Sequence, residues 1–325
     1  MDKQLSSPKC WAFLFPGQGA QYPGMGRDFY DAFSIARQTF EEADDVLGEP
    51  FSRLIFEGDA AELTLTKNAQ VAIFIASSAI LRTVNEQFPS IRPYVCAGLS
   101  LGEYTAFMAA GKIAFGECLQ LVRTRAEAMH DACLNRQGAM SVVLGLSEEA
   151  VVEALGALKP HPLWIANLNC PEQVVIAGAQ ESMPIAAEAL KEKGAKRVLP
   201  LDVSGAFHSG FMQPAQELLA PRIAEAQWMS SSIEIVMNVP GGFVRDLSSM
   251  RRYLFEQVVS PVRWEMGVRE MMRHSMDAYL EMGPGKTLSG MNKRIGVGVP
   301  TLSVEKVSDL ESLVKYMEAY AIAEC

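Results

Sequence analysis

The sequence predicts an α/β fold with a central, mainly parallel sheet and a small second unit inserted into it, and three observations carry that prediction. Residues 94–104 read as strand, sharp turn and helix: an apolar, β-prone run ends in Gly98-Leu-Ser-Leu-Gly102, and a helix-favouring segment over 103–110 follows before Gly111 stops it. From Gly138 the pattern changes to strand, helix, strand, strand, helix, strand, the βαββαβ order of a ferredoxin-like subdomain. The 325 residues, 49% hydrophobic and 21% charged, suffice for a large globular core.

Composition removes several classes of function. A formal net charge of −9 and a pI near 5.1 argue against wholesale binding to nucleic acid or to an anionic membrane. Cys10, Cys96, Cys118, Cys133, Cys170 and Cys325 include no Cys-x-x-Cys pair, so no zinc site or redox dithiol is indicated, and buried thiols in a reducing compartment are expected. The longest apolar run, 71–81, contains two serines and falls short of the about 20 residues a membrane-spanning helix needs. The apolar patch near Trp11 lacks the basic segment and core length of a secretory leader, so a cytoplasmic location, or a matrix, is expected.

Along the chain, residues 11–15 form a buried strand that runs into Pro16-Gly-Gln-Gly-Ala-Gln21. This is not a dinucleotide loop, because the third glycine would fall at Tyr22. It is either a plain turn or a loop whose glycines bring the Gln18 backbone N–H close to a reacting atom. Segments 28–57 and 70–88 carry apolar residues at helical spacing and belong to packing. The strand after them ends in the elbow, where Ser100 stands above the sheet edge and Gly98 and Gly102 keep side chains off the reversing backbone. The five-residue motif alone also fits an ordinary turn with a solvated serine.

The helix over 115–134 steps Leu119, Val122, Ala126, Met129 and Cys133 down one face. Arg125 lies beside that stripe among Leu121, Val122, Ala128 and Met129, whereas Arg123 has Glu127 four residues on. A guanidinium in apolar surroundings needs a partner: a substrate anion, such as a carboxylate gripped by its planar fork, or else solvent or a distant acid.

The inserted unit reads as strands over 140–146, 163–166, 173–177 and 197–203, with helices over 147–158 and 181–193. Asn167-Leu-Asn169-Cys-Pro171 is expected as a hairpin loop, its asparagines either turn formers or substrate contacts. The unit spans 138–203, leaving 1–137 and 204–325 as the large domain. A loop, Ser204-Gly-Ala-Phe-His-Ser209, then leads to a helix over 211–226. Of the four histidines, His208 alone sits at a strand-to-helix junction among small residues, as a structural loop residue or as the best available base. His130, His161 and His274 are expected at the surface. A short strand over 233–237, a Gly241-Gly242 loop, a helix over 247–258, a second helix after Trp264 and a strand over 278–281 follow. Gly283-Pro-Gly-Lys-Thr287 is a strand-to-helix turn; a phosphate loop would need glycine where Leu280 stands.

A serine on an elbow, a later histidine, a Gly-rich loop and a helical arginine supply a nucleophile, a base, an oxyanion donor and an anion grip. In Phe15-Pro-Gly-Gln-Gly-Ala-Gln21, Gly98-Leu-Ser-Leu-Gly-Glu-Tyr104, Arg125, Asn167-Leu-Asn169, Gln173-Val-Val-Ile-Ala-Gly178, His208, Gln257, Ser260-Pro-Val-Arg-Trp264 and Gly283-Pro-Gly285, the chain resembles the malonyl-CoA:acyl carrier protein transacylases of type II fatty acid synthesis. The resemblance covers nearly the whole chain. It implies a hydrolase-like α/β domain with an inserted ferredoxin-like subdomain, and transfer of malonyl from malonyl-CoA to the phosphopantetheine thiol of acyl carrier protein through a malonyl-Ser100 intermediate. It implies no metal, no cofactor beyond the groups the substrates carry, and commonly a monomer. Ser100 would be the nucleophile and His208 its base, with the backbone N–H groups of Gln18 and Leu101 as the oxyanion hole. Arg125 would hold the malonyl carboxylate, the Gln257 carbonyl would orient His208 in place of an acid, and Asn167 and Asn169 would be polar substrate-binding positions.

Two residues depart from the family pattern: Leu99 stands where many members have histidine, and Ala126 where many have glycine. Ala206-Phe-His208 resembles malonyl-selective members, Phe207 crowding an α-methyl group. An acidic carrier protein calls for a local basic surface, for which Lys191, Lys193, Lys196 and Arg197, or Lys286, Lys293 and Arg294, are candidates; the first group equally fits a solvated helix face. Two other readings are an α/β-hydrolase, with His274 as base, and a non-catalytic module that docks carrier proteins.

Overall fold

Trp11–Phe15 forms strand β1 with every side chain buried, as a strand covered on both faces requires. The computed structural model describes residues 10–323. After β1 come five helices, α1 (Arg27–Ala32), α2 (Ser34–Leu47), α3 (Phe51–Glu57), α4 (Ala60–Thr64) and α5 (Thr66–Gln87). The segment expected as helical over 28–57 is thus three helices, broken where Phe33 and Pro50 leave helical geometry. The apolar run 71–81 is buried in α5 and packs on all sides. Among the described residues no helix is long and apolar enough to cross a membrane.

Next are β2 (Pro93–Gly98), α6 (Gly102–Ala109) and α7 (Phe115–Asn135), then the elements of a second sheet: β3 (Gly138–Leu144), α8 (Glu148–Ala157), β4 (Leu163–Cys170), β5 (Gln173–Ala179), α9 (Met183–Glu192) and β6 (Arg197–Pro200). The chain closes with α10 (Gln213–Glu225), β7 (Glu234–Met237), β8 (Gly242–Val244), α11 (Leu247–Glu256), α12 (Trp264–Arg273), β9 (Ala278–Met282), α13 (Thr287–Ile295), β10 (Thr301–Val304) and α14 (Leu310–Ala323).

The main sheet has the order β10-β9-β1-β2-β7-β8, parallel throughout except that β8 returns antiparallel beside β7. Because β9, β1, β2 and β7 are parallel neighbours, the loops that follow them open at one edge, where open α/β sheets place their ligands. The second sheet, β4-β5-β3-β6, is antiparallel, and α8 and α9 cover it around a separate core containing Val143, Val151, Ile176 and Leu190. Leu168 donates to the Val262 carbonyl and Val262 to that of Ala166, each at 2.9 Å, joining β4 to the loop before α12.

Three local expectations are corrected. Residues 167–170 are strand: pairing with β5 carries β4 to Cys170 through two register shifts, and only Pro171 and Glu172 remain to turn. Gly242 opens β8, because β7 has no other partner on that side. The strand expected over 197–203 stops at Pro200, and an irregular segment continues to His208. The cysteines at 10, 96, 118, 133 and 170 are free thiols, all buried except the half-buried Cys10, while Cys325 lies outside the described residues.

Candidate active site

Ser100 follows β2 with φ at 53°, a left-handed backbone that a non-glycine residue keeps only where its surroundings hold it. A Cβ on Gly98 would lie 1.9 Å from the Gly102 carbonyl carbon, and one on Gly102 would lie 2.1 Å from the Phe15 carbonyl oxygen. Both glycines are therefore dictated by the close approach of backbone at the elbow. Phe15 pairs with Gly98 across the sheet, and its carbonyl accepts from Leu99 N–H at 3.1 Å, so the 16–21 loop emerges beside Ser100. Among the described residues the Gln18 and Leu101 backbone N–H groups find no acceptor within the chain.

His208, buried and itself left-handed with φ at 55°, sets Nε2 2.8 Å from Ser100 Oγ and Nδ1 2.9 Å from the Gln257 carbonyl. A carbonyl only accepts, so Nδ1 carries the proton and Nε2 offers its lone pair to the serine hydroxyl. Burial, followed by the nearby Arg125 charge, pulls the His208 pKa down to about 4, against the opposing hydrogen bonds of the Gln257 and Ser260 backbone. His208 is therefore a neutral base at physiological pH.

Arg125 is only 1% exposed, and neither solvent nor a distant acid meets it directly. Its Nη1 donates to Gln70 Oε1, and its Nη2 to Ser100 Oγ and Gln257 Oε1, each at 3.0 Å; its Nε finds no partner among the described residues. The guanidinium lies 5.4 Å from the Tyr104 ring centroid. It stands behind Ser100 and Gln70, which themselves face the cavity.

Behind the elbow is a layer that sequence reading missed. Asn238, just past β7, accepts from Ser100 N–H through Oδ1 and donates to the Gly98 carbonyl through Nδ2, both at 2.7 Å. Glu103, fully buried, accepts from the Asn238 backbone N–H and from Gln257 Nε2, each at 2.6 Å. Burial pushes the Glu103 carboxyl up to about 8, with these two donors and Arg125 pulling the other way. Gln70, also fully buried, links Arg125 to the Gln18 side chain at 3.3 Å. The available signals were a polar residue ending an apolar strand (Asn238) and an amide inside a largely buried helix (Gln70), each of which needs a partner.

A cavity of about 280 Å³ opens onto Ser100 and His208. The first-strand loop from Pro16 to Ala20 forms one wall, and Met129, Met140, Val175 and Phe207 supply apolar surface. Asn167 and Asn169 line it too, both nearly buried, with Asn169 Oδ1 lacking a partner among the described residues. Thr287, Leu288 and Met291 complete it from α13, the helix that follows the strand-to-helix turn expected over 283–287. His274 is exposed at the end of α12, its ring 4.3 Å from that of Phe243, and takes no part. His161 is exposed, while His130, expected at the surface, is half-buried with its Nδ1 unpartnered among the described residues. The described residues contain no cluster of three or more His, Cys, Asp or Glu able to hold a metal ion. The arrangement can deprotonate a serine, place its alkoxide beside a guanidinium and offer two N–H groups to an oxyanion, which is the equipment of acyl transfer.

Comparison with known proteins agrees. Residues 12–301 match the family model described as "Acyl transferase domain". A malonyl CoA-acyl carrier protein transacylase of Bacillus subtilis is 39% identical over 94% of this chain and 97% of its own length. The crystal structure of a malonyl CoA-acyl carrier protein transacylase from Clostridium perfringens superposes with a TM-score of 0.92 at 34% identity, covering 97% of this chain and 100% of that one. A malonyl-transacylase solved in complex with a type II PKS acyl-carrier protein gives a TM-score of 0.90 at 36% identity, covering 95% and 100%.

Proposed function

The chain belongs to the acyl transferase family, with the malonyl CoA-acyl carrier protein transacylases as its relatives, and from this premise we propose that it moves malonyl from malonyl-CoA to the phosphopantetheine thiol of an acyl carrier protein by way of Ser100. The observation that carries this reading is one oxygen with two partners: Ser100 Oγ lies 2.8 Å from the base His208 Nε2 and 3.0 Å from the Arg125 guanidinium. Such a hydroxyl can lose its proton, and the charge it leaves has a cation beside it.

In the first half-reaction His208 Nε2 takes the Ser100 proton as Oγ attacks the thioester carbon. The Gln18 and Leu101 N–H groups receive the oxyanion, each such donor being worth about 3 to 4 kcal/mol in the transition state. Collapse breaks the carbon–sulfur bond, and the His208 imidazolium protonates the departing coenzyme A thiolate. The carrier thiol then enters, gives its proton to His208 and attacks the Ser100 ester, and the proton returns to Oγ. The Gln257 carbonyl holds the imidazole in the required tautomer, which explains how the site works without an acidic third member.

Selectivity for malonyl follows from Arg125. Once Oγ is an ester oxygen it is a poorer acceptor, and Nη2, together with the unpartnered Nε, can turn to the malonyl carboxylate. Phe207 narrows the space beside the malonyl α-carbon. Asn167 and Asn169 offer amides to the pantetheine arm, whose own amides need such partners. The molecule needs no cofactor beyond what its substrates bring, and it acts as a monomer in the cytoplasm.

The test is intact-mass measurement after mixing with malonyl-CoA. The protein gains one malonyl group and Ser100→Ala gains none. Absence of any adduct on the wild-type protein makes it a docking module instead, and loading that survives Ser100→Ala removes the nucleophile assignment.

A further inference from the structure

Glu103 is a fully buried acid whose side chain bonds neither Ser100 nor His208, yet both groups that it does bond hold one of them. On one side it fixes Asn238, whose amide spans the elbow from the Gly98 carbonyl to the Ser100 N–H. On the other it fixes Gln257, whose Nε2 also donates to the Ser100 carbonyl at 2.9 Å and whose own carbonyl orients His208. One carboxylate thus ties the end of β7, which grips the nucleophile, to the turn after α11, which grips the base. Each Glu103 carboxyl oxygen accepts an N–H, and these two donors with the nearby Arg125 favour the ionised form against burial, so an amide at position 103 would turn an N–H toward one of two donors and break one arm. The strained backbone of Ser100, with φ at 53°, supplies what such a clamp has to hold in place.

We propose that Glu103 is a positioning residue for acyl transfer, setting the approach of Ser100 Oγ to His208 Nε2 through Asn238 and Gln257. The inference rests on the reading of Ser100 and His208 as nucleophile and base. Its effect falls on the rate of the chemical step, because the groups it holds position Ser100 and His208. Because Gln257 Oε1 also accepts from Arg125, the proposed carboxylate grip, acetyl transfer reports the Ser100–His208 effect alone, while malonyl transfer loses at least as much.

Steady-state and single-turnover acylation of the full chain by malonyl-CoA and by acetyl-CoA tests this in Glu103→Gln, Asn238→Ala and the double variant, at a temperature where thermal melts show each folded. Glu103→Gln should lower kcat by roughly tenfold to a hundredfold, as expected for a reacting pair displaced by a fraction of an ångström to an ångström. KM for acetyl-CoA should stay within about threefold while its kcat falls, and malonyl-CoA should slow by at least the same factor. The double variant should lose less than the product of the two single losses, since both act on one geometry. An unchanged kcat, a loss confined to KM, or strictly multiplicative losses overturns the proposal. Should Glu103→Gln not fold, Asn238→Ala carries the same kcat-against-KM split. Failure of the wild-type protein to load malonyl would sink the underlying reading instead; normal loading by both wild type and Glu103→Gln sinks this inference alone.

Discussion

A guanidinium held by two amides and a serine hydroxyl, with no carboxylate in contact, is a charge kept in reserve, and that distinguishes Arg125 from an arginine spent on a structural ion pair. Removing it should affect the two acyl groups unequally. On the proposed role, Arg125→Ala removes a buried, charge-assisted contact to malonyl worth roughly 2 to 4 kcal/mol, whereas acetyl would lose only the help given to Ser100 Oγ. The ratio of kcat/KM for malonyl-CoA to that for acetyl-CoA should therefore fall at least about tenfold. Equal losses would remove the carboxylate role. His208 sets the pH dependence. Its pKa is depressed to about 4, so the base stays neutral well below the ordinary imidazole range. Between pH 6.5 and pH 5 its acylation step should change by less than about twofold, with the loss centred near pH 4. An acid limb centred near pH 6.5 would show a solvated imidazole. The same depression makes the folded state bind fewer protons than the unfolded one in that window, so His208 costs stability progressively as pH falls from about 6.5 to about 4 and adds no further loss below it.

At the scale of elements, the site depends on how closely β1, β2 and α6 approach one another. Gly102 begins α6 with its Cα against the Phe15 carbonyl, so Gly102→Ala must push the elbow away from β1. Overpacking of this kind costs about 1 to 3 kcal/mol in stability, and here it also separates Ser100 from the 16–21 loop. The variant should melt lower and acylate more slowly even at temperatures where it is fully folded; wild-type acylation by the folded variant would show that the approach is unimportant. The elbow was legible because strand, turn and helix chemistry coincide within a dozen residues, and β1 because its five side chains are all apolar. The 167–170 segment was misread because Asn, Pro and a short polar alternation signal a turn locally. Its strand character comes from β5 and from Val262, partners that local sequence does not reveal. Glu281 hid its role in the same way: within β9 it reads as a polar strand residue, but its carboxylate accepts from Leu288 and Ser289 N–H and so fixes the start of α13, one wall of the cavity.

Across the whole molecule, the parts of the candidate site come from distant points of the chain: the loops after β1, β2 and β7 open at one edge of the main sheet, α7 brings Arg125, and the segment after β6 brings His208. Ser100, Arg125 and His208 were visible as chemical oddities: a serine between glycines, an arginine in an apolar stripe, a histidine in a small-residue loop. Asn238 and Gln70 were not, because an amide becomes informative only when its partners are known, and those lie 138 and 55 residues away, at Ser100 and Arg125 respectively. The second sheet closes the cavity through Met140, Asn167, Asn169 and Val175. Of the basic residues considered for a carrier surface, Lys193, Lys196 and Lys286 pair with Glu153, Glu172 and Asp309. Such exposed pairs are weak enough to exchange with an acidic partner. If Ser100 relays malonyl between two thiols, discharge of an isolated acyl-enzyme reveals it. Malonyl-loaded protein freed of coenzyme A is mixed with acyl carrier protein that either bears or lacks its phosphopantetheine arm, and the malonyl group is followed by intact mass on both proteins. Malonyl should leave Ser100 and appear in equal amount on the carrier only when the thiol-bearing arm is present. Loss of malonyl to water at the same rate with either carrier, with none gained by the arm, would contradict it.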